Sequence, residues 1–485
     1  MTKDSTRSEY TTILRIIGLL FILQIAVALL TDGFCLSFDE AMWHYIGRNW
    51  FRHDLAPYAG GVDNKSPLIF AIFGFSDKLF GVNYWFPRVL ATICEAIGLF
   101  YVYKIAIHVA NHRAGVIAVS IYGLSLLWHD TGGKYVSYTE TYEVLFVIVV
   151  FYRFITAKEK KDIFAAGLLI GIATAFRITA VFIAPLILVN CFRRNKSYAG
   201  IFLVGALASV FGLIILAVIS GVNPESMFIN MFFDNLNSGS AADHSLSWKL
   251  HNFADKFIWS SMLLFYPLVF GYLFIKRKVD VFVWWFILAF AGICTVGIFD
   301  VVHLKEVLPA LSLIGGFFVA SAEGRFRLPP MPTIILIWLV FFPKSLEPLR
   351  NFGKLFLDIP TKIQYCRMPY PIPDESTRKK LGQWVKDQTS PGDRVYIAGF
   401  GAQVQVYSER MSPTVYFNVT QTPMAKAQFY SDMRRIPAAM ILVPMFDQYK
   451  ETVGKDMRYF VDSLVAKNYE PAGCIYSYNV YRLKK

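Results

Sequence analysis

Two acids stand side by side near the start of the chain, Asp39 and Glu40, in the run Ser37-Phe38-Asp39-Glu40-Ala41-Met42-Trp43-His44-Tyr45. A carboxylate beside a hydrophobic slab can take the proton of an attacking hydroxyl, which is general-base chemistry. The same residue type also caps helices, and Asp39 precedes an aromatic-rich helical pattern. Lys65 follows in Asn64-Lys65-Ser66-Pro67. A fixed cation there could neutralise a departing phosphate, or it could snorkel at an interface. Glu140 closes the run Lys134-Tyr135-Val136-Ser137-Tyr138-Thr139-Glu140, where an acid also suits a helix N-terminus. His303, Lys305 and Glu306 crowd one short stretch, and Arg177 is a further candidate anion ligand or an interfacial anchor. No HExxH, GxSxG or phosphate-loop pattern is present. The acids form Asp-Glu rather than Asp-x-Asp, so no cofactor is evident; a divalent metal is not required, although two acids could bind one.

The elements that position these residues follow from composition. Only 17% of the 485 residues are charged and 55% are hydrophobic. A soluble chain carries charge on about a quarter of its residues. Many apolar runs approach the ~20 residues of a spanning helix, so the chain reads as a polytopic α-helical membrane protein. Candidate spans are 14–31, 84–106, 114–130, 141–156, 162–176, 178–192, 199–220, 258–275, 280–299, 304–321 and 333–349, with Arg177 between two short ones. The net charge of +13 would point to nucleic acid in a soluble protein. Here the basic residues cluster between apolar runs, at Lys158–Lys161, Arg193–Lys196, Lys276–Lys278 and Arg325–Arg327, and no nucleic-acid partner is expected. With about 11 crossings all four clusters share one side, which the positive-inside rule makes cytoplasmic. Lys3, Arg7 and Arg15 place the N-terminus there, with a retained first helix rather than a cleaved signal peptide. The first loop (32–83), the turn 131–140, the loop 221–257 and the helix end near His303 then face outward. Within the first loop, 67–81 reads as a helix in the interface, interrupted by Asp77 and Lys78.

From about residue 350 the charge density becomes ordinary. The stretches 394–400, 414–419, 438–446 and 479–483 read as strands, and 374–389, 424–435 and 451–467 as helices. Alternation of the two predicts a small extracytoplasmic α/β domain over 350–485, attached to a transmembrane domain over 1–349. Gly399-Phe400-Gly401 reads as a strand-end turn. The six cysteines show no ligand-like or disulfide spacing.

At these motifs the chain resembles the GT-C superfamily of integral-membrane glycosyltransferases. It is most similar to the branch of protein O-mannosyltransferases and the lipid A aminoarabinose transferase. The resemblance rests on FDEAMWHYIGRNW, DLAPYAGG, DNKSPLIF and FGVNYWFPRVLA in order, then Thr139-Glu140 and HLKEVLPALSLIGG. Lys65-Ser66-Pro67 stands where the branch has Lys-Pro-Pro, and Leu304 where it often has tyrosine. The resemblance implies transfer of a sugar from a polyprenyl-phosphate donor to an acceptor hydroxyl outside the cytoplasm, with inversion. By that likeness Asp39 is the base, with Glu40 beside it, and Glu140 orients donor or acceptor. Lys65, Arg177, His303 and Lys305 would bind the donor phosphate. The partners so implied are the donor, a glycan, lipid or protein acceptor, and the bilayer of a cell (inner) membrane. The competing reading is a transporter or flippase of lipid-linked saccharides. Such a protein places ionisable groups mid-helix along a pathway, whereas here they gather at outer ends and loops.

Overall fold

A computed structural model describes residues 3–30, 34–128, 136–233, 245–255, 265–277, 279–297, 299–322, 375–418, 423–445 and 455–484. Among the described residues, nine α-helices lead the chain: α1 Lys3–Leu30, α2 Phe38–His53, α3 Pro67–Phe80, α4 Trp85–Val109, α5 His112–Trp128, α6 Thr139–Thr156, α7 Lys160–Phe176, α8 Ala184–Arg194 and α9 Lys196–Ile219. Further helices cover Leu246–Phe253, Phe265–Lys276, Val281–Val296 and Leu308–Ala322. Among the described residues, three stretches are long and apolar enough to cross a membrane: Glu9–Leu29, Trp85–Val109 and Lys196–Ile219. Shorter apolar helices accompany them at His112–Leu127, Tyr266–Lys276, Val281–Val296 and Leu308–Ser321. The expected span 333–349 lies outside the described residues, as does the first part of 258–275. The expected spans 162–176 and 178–192 are not two plain helices. A 3-10 segment, Ile178–Ile183, precedes α8, whose Pro185 stands at its start. Proline lacks the N–H that a continuous helix would need further in.

The chain forms two compact units. The first comprises Arg88–Ile215 with the described residues of Met1–Leu29 and His244–Phe356. Its core is aliphatic and aromatic, with Phe151 stacked on Trp285 at 3.8 Å and 6°. Outside that core, apolar side chains of the long helices such as Leu19, Val204 and Phe211 remain exposed.

The second unit comprises Leu30–Pro87 and the described residues of Leu216–Asp243 and Leu357–Lys485. The first loop thus packs with the tail, a grouping that a linear division at residue 350 does not express. α2 and α3 run against each other at glycines. A Cβ on Gly47 would stand 2.4 Å from the Gly74 backbone nitrogen, so neither position admits a side chain. The tail carries a sheet of β1 Val395–Ile397, β2 Met440–Pro444, β3 Tyr469–Ile475 and β4 Tyr478–Leu483, in the order β1-β2-β4-β3. β1 pairs parallel to β2, and the other two pairings are antiparallel. Tyr476 and Ser477 both adopt positive φ, the backbone of a tight hairpin turn between β3 and β4. Helices Glu375–Asp387, Ala402–Ser408, Pro423–Arg435 and Lys455–Asn468 complete the tail.

Three of the four expected strands coincide with β1, β2 and β4. The fourth does not: 414–418 is irregular. Its groups bond elsewhere, since Val415 O accepts from Val62 N at 3.2 Å and Phe417 lies on Tyr45 at 4.2 Å. The first loop has taken the place of a neighbouring strand. Gly399–Gly401 does end β1, and then starts the buried helix Ala402–Ser408.

Candidate active site

The acid pair opens α2. Ser37 is the N-cap, and Glu40 N donates to its Oγ at 3.4 Å. Glu40 Oε2 in turn accepts from Ser37 N at 3.0 Å. This reciprocal capping box satisfies two donors that a helix start otherwise leaves open. It also occupies Glu40, which is fully buried. Asp39, in the same first turn, is half-buried. Two residues that are neighbours in sequence therefore face different surroundings, as the ~100° step per helical residue requires.

Lys65 precedes the N-cap Ser66 of α3, and Pro67 takes the first helical position. Proline suits that position because its missing N–H has no partner there anyway. The Lys65 ammonium donates to Asn64 Oδ1 at 2.9 Å, and Tyr58 OH donates to Lys65 O at 2.7 Å. Asp63, next in line, accepts from Trp43 Nε1 at 2.8 Å. The Lys-Ser-Pro turn is thus tied to α2 by a buried indole.

Beneath the pair lies a buried clasp. Asp77 Oδ1 accepts from Arg48 Nε at 3.1 Å and Nη2 at 3.0 Å, and Arg52 Nε reaches Oδ2. Arg48 Nη1 continues to Val406 O of the tail at 2.9 Å. His44 is fully buried with Nδ1 3.8 Å from Asp77. Burial, and then the Arg48 charge, push its pKa down to about 3, so the ring is neutral at neutral pH. Burial, the largest single influence, would raise the Asp77 carboxyl; its ionic and hydrogen-bond partners together, Arg48 foremost, outweigh it and hold the pKa below the usual range. Tail contacts extend beyond the clasp. Leu36 N donates to Tyr407 OH at 2.8 Å, Gln403 Nε2 to Leu36 O at 3.0 Å, and Ser412 N to Tyr45 OH at 2.8 Å.

The other candidates belong to the first unit, and three of them meet. Arg177 ends α7 in extended conformation, which swings its side chain off the helix line. Its Nη1 lies 2.7 Å from Glu140 Oε1, and its Nε donates to Glu306 Oε1 at 2.6 Å and to Thr179 Oγ1 at 3.1 Å. His303 Nδ1 lies 2.8 Å from Glu140 Oε1 and 3.0 Å from Arg177 Nη2. One ring nitrogen cannot donate to the carboxylate while accepting from the guanidinium, so the tautomer selects between them. Lys305 adjoins the group rather than joining it: its ammonium donates to Glu95 Oε1 and Thr141 Oγ1, both at 3.0 Å. Arg177 and its carboxylate partners are almost wholly screened from solvent.

Glu140, Arg177 and His303 are therefore in direct contact, with Lys305 next to them through Thr141. Asp39, Glu40 and Lys65 belong to the second unit. Sequence reasoning noted Glu306 without assigning it a role. It missed Glu95 and Glu143, and it read Asp77 only as an interruption of the helix 67–81. Glu95 stands inside the apolar helix α4, and an ionisable residue in such a helix is itself a signal. Glu143 follows Glu140 by three residues, which places both on one face of α6. Among the described residues, no group of three His, Cys, Asp or Glu side chains is arranged to hold a metal ion.

The class follows from whole-chain comparison of this architecture with solved structures. ArnT from Cupriavidus metallidurans, bound to undecaprenyl phosphate, aligns with a TM-score of 0.63 at 12% identity, covering 96% of this chain and 97% of that one. An Archaeoglobus fulgidus oligosaccharyltransferase tethered to an acceptor peptide aligns with a TM-score of 0.52 at 12% identity, over 97% of this chain and 74% of that one. The mycobacterial arabinofuranosyltransferase AftD aligns at 0.51 and 12%, over 97% of this chain and 42% of its own. The chain has the fold of the GT-C glycosyltransferases. More particularly, residues 64–222 match the profile of the dolichyl-phosphate-mannose-protein mannosyltransferase family. Comparison with the curated proteins gives no match.

Proposed function

We propose that the chain is a membrane glycosyltransferase that moves a sugar from a polyprenyl-phosphate-linked donor to an acceptor hydroxyl on the outer face of a cell membrane. The observation that carries this reading is the match over 64–222, which contains Lys65, Glu140 and Arg177. The shared fold with a transferase solved with undecaprenyl phosphate bound supports it.

In the proposed step, Asp39 accepts the acceptor's hydroxyl proton. The oxygen forms a bond to the anomeric carbon as the bond from that carbon to the phosphate oxygen breaks. The electron pair leaves with the polyprenyl phosphate, and the anomeric configuration inverts. The capping box supports Asp39 over Glu40, whose carboxylate is committed to Ser37. Lys65 meets the charge on the departing phosphate. Glu140 positions the donor, with Arg177, His303 and Lys305 supplying positive charge toward its phosphate. The N-terminus is cytoplasmic and the tail extracytoplasmic in this reading.

The test uses purified full-length chain with a polyprenyl-phosphate sugar of matched chain length. Release of polyprenyl phosphate together with a glycosylated acceptor is expected. Translocation of intact donor in sealed vesicles, with no bond cleavage, would instead establish a flippase.

A further inference from the structure

The second unit contains a cleft that the transfer step does not use. It encloses about 400 Å³ and lies between the α3–α4 junction and the tail. One wall is aromatic: Phe34, Phe80, Tyr84 and Trp85. Phe80 and Trp85 pack at 4.8 Å, and Phe34 and Tyr84 meet edge-on at 6.4 Å. The opposite wall is polar and comes from the tail helix Glu375–Asp387. Lys379, Gln383 and Lys386 line it at spacings of four and three residues, which is one helix face. Tyr407 forms part of the lining, and Lys379 Nζ lies 5.6 Å from its ring centroid. Glu409 pairs with Lys386 at 2.6 Å, so the lining keeps a net positive charge through Lys379.

The aromatic wall is not ordinary core. Phe34 is 45% exposed, Phe80 47% and Trp85 39%. Trp85 is the first residue of the 25-residue apolar helix α4, and Phe34 follows closely on the end of α1. Exposed aromatics at the ends of apolar helices mark the membrane–water boundary. Lysine ammonium groups are point-charge ligands for phosphate, and basic side chains near a membrane surface favour anionic lipids. A cleft with an apolar aromatic wall and a lysine-bearing wall, opening at that level, matches a lipid at its glycerol–phosphate region. We infer that this cleft binds the phosphate headgroup of an anionic membrane lipid. Lys379 and Lys386 contact the phosphate, and Trp85 and Phe80 pack on the first carbons of the lipid. Neither Asp39 nor Lys65 lines the cleft, and it does not depend on which sugar is transferred.

Native mass spectrometry of the full chain, released from neutral detergent after exchange into defined lipid, reads the occupancy. The probes are phosphatidylglycerol, phosphatidylcholine and inorganic phosphate. Wild-type chain is expected to retain phosphatidylglycerol about tenfold more than phosphatidylcholine. Lys379→Ala with Lys386→Ala should abolish that preference, and Lys379→Arg with Lys386→Arg should restore it. A folded alanine variant is verified by an unchanged melting temperature in lipid-free detergent. If that variant misfolds, Trp85→Ala alone must lower lipid retention without changing the charge on the opposite wall. Equal retention of the two lipids by wild type overturns the inference, as does an alanine variant with unchanged preference. Complete displacement of phosphatidylglycerol by millimolar inorganic phosphate also overturns it, because the site would then be a free-phosphate site with no use for its aromatic wall.

Discussion

The two units treat buried charge in opposite ways. In the first, Arg177 is surrounded by Glu140, Glu306 and His303, so each charge is held by partners from distant parts of the chain. In the second, the acid pair and Lys65 sit at helix starts, held mainly by backbone and near neighbours. An extended ion network there, Asp77 with Arg48 and Arg52, ties α2 and α3 to the tail. A mutually neutralised cluster is rigid and expensive to disturb. Helix-start groups keep their chemistry available while the capping pattern fixes their direction. The comparison sets an ion-paired cluster in the first unit against capped helix-start groups in the second.

The largest effect should come from breaking the first unit's cluster. Arg177→Gln leaves Glu140 and Glu306 buried without their cation, which typically costs about 3–5 kcal/mol. Thermal unfolding in detergent should show a melting temperature lowered by several degrees, with activity lost along with the fold. Arg177→Lys should recover part of the stability, since charge remains although the forked geometry is gone.

Lys65→Ala should behave in the other manner. Turnover is expected to fall by about 10²–10³, the scale of one lost charge-stabilising group, while the melting temperature stays near wild type. A large stability loss at Lys65 would erase the distinction between the units.

Acid should loosen the second unit through His44. Its folded pKa of about 3 lies below the ordinary 6.5, so between those values the unfolded state binds more protons. Stability from this group is complete above pH 6.5 and declines as pH falls toward 3. The slope reaches at most about 1.4 kcal/mol per pH unit. The depressed Asp77 carboxyl adds loss of the same sign at still lower pH. Melting curves from neutral pH to pH 5 should shift downward, and His44→Phe should flatten that dependence.

Much of this arrangement was legible in the sequence, and the rest was not for identifiable reasons. The helix 67–81 follows from Pro67 and an apolar run. Asp77 looked like an interruption of it, because its partners Arg48 and Arg52 are on another helix and no local pattern announces them. The Ser37-x-x-Glu40 spacing is a capping box visible in the sequence, and it distinguishes Glu40 from Asp39 independently of the resemblance. β3 escaped because Pro471 and Gly473 break its alternation, with an irregular register between them, and it exists by pairing with β4. The stretch 414–418 has strand-like composition, yet its neighbour is the first loop, a contact set by tertiary packing rather than propensity. Glu140, Arg177 and His303 were each identifiable as ionisable groups near helix ends. Their mutual contact spans more than a hundred residues of sequence.

The central claim is that Asp39, and not its capped neighbour, carries the proton. It is tested most directly by measuring transfer rate and donor binding side by side on purified Asp39→Asn and Glu40→Gln chains. The account predicts that Asp39→Asn loses about 10²–10⁴ in rate with donor binding and melting temperature retained. Glu40→Gln should keep most of its rate per folded molecule and lose about 1 kcal/mol of stability with the weakened cap. A fully active Asp39→Asn beside a stable but inactive Glu40→Gln would contradict the account.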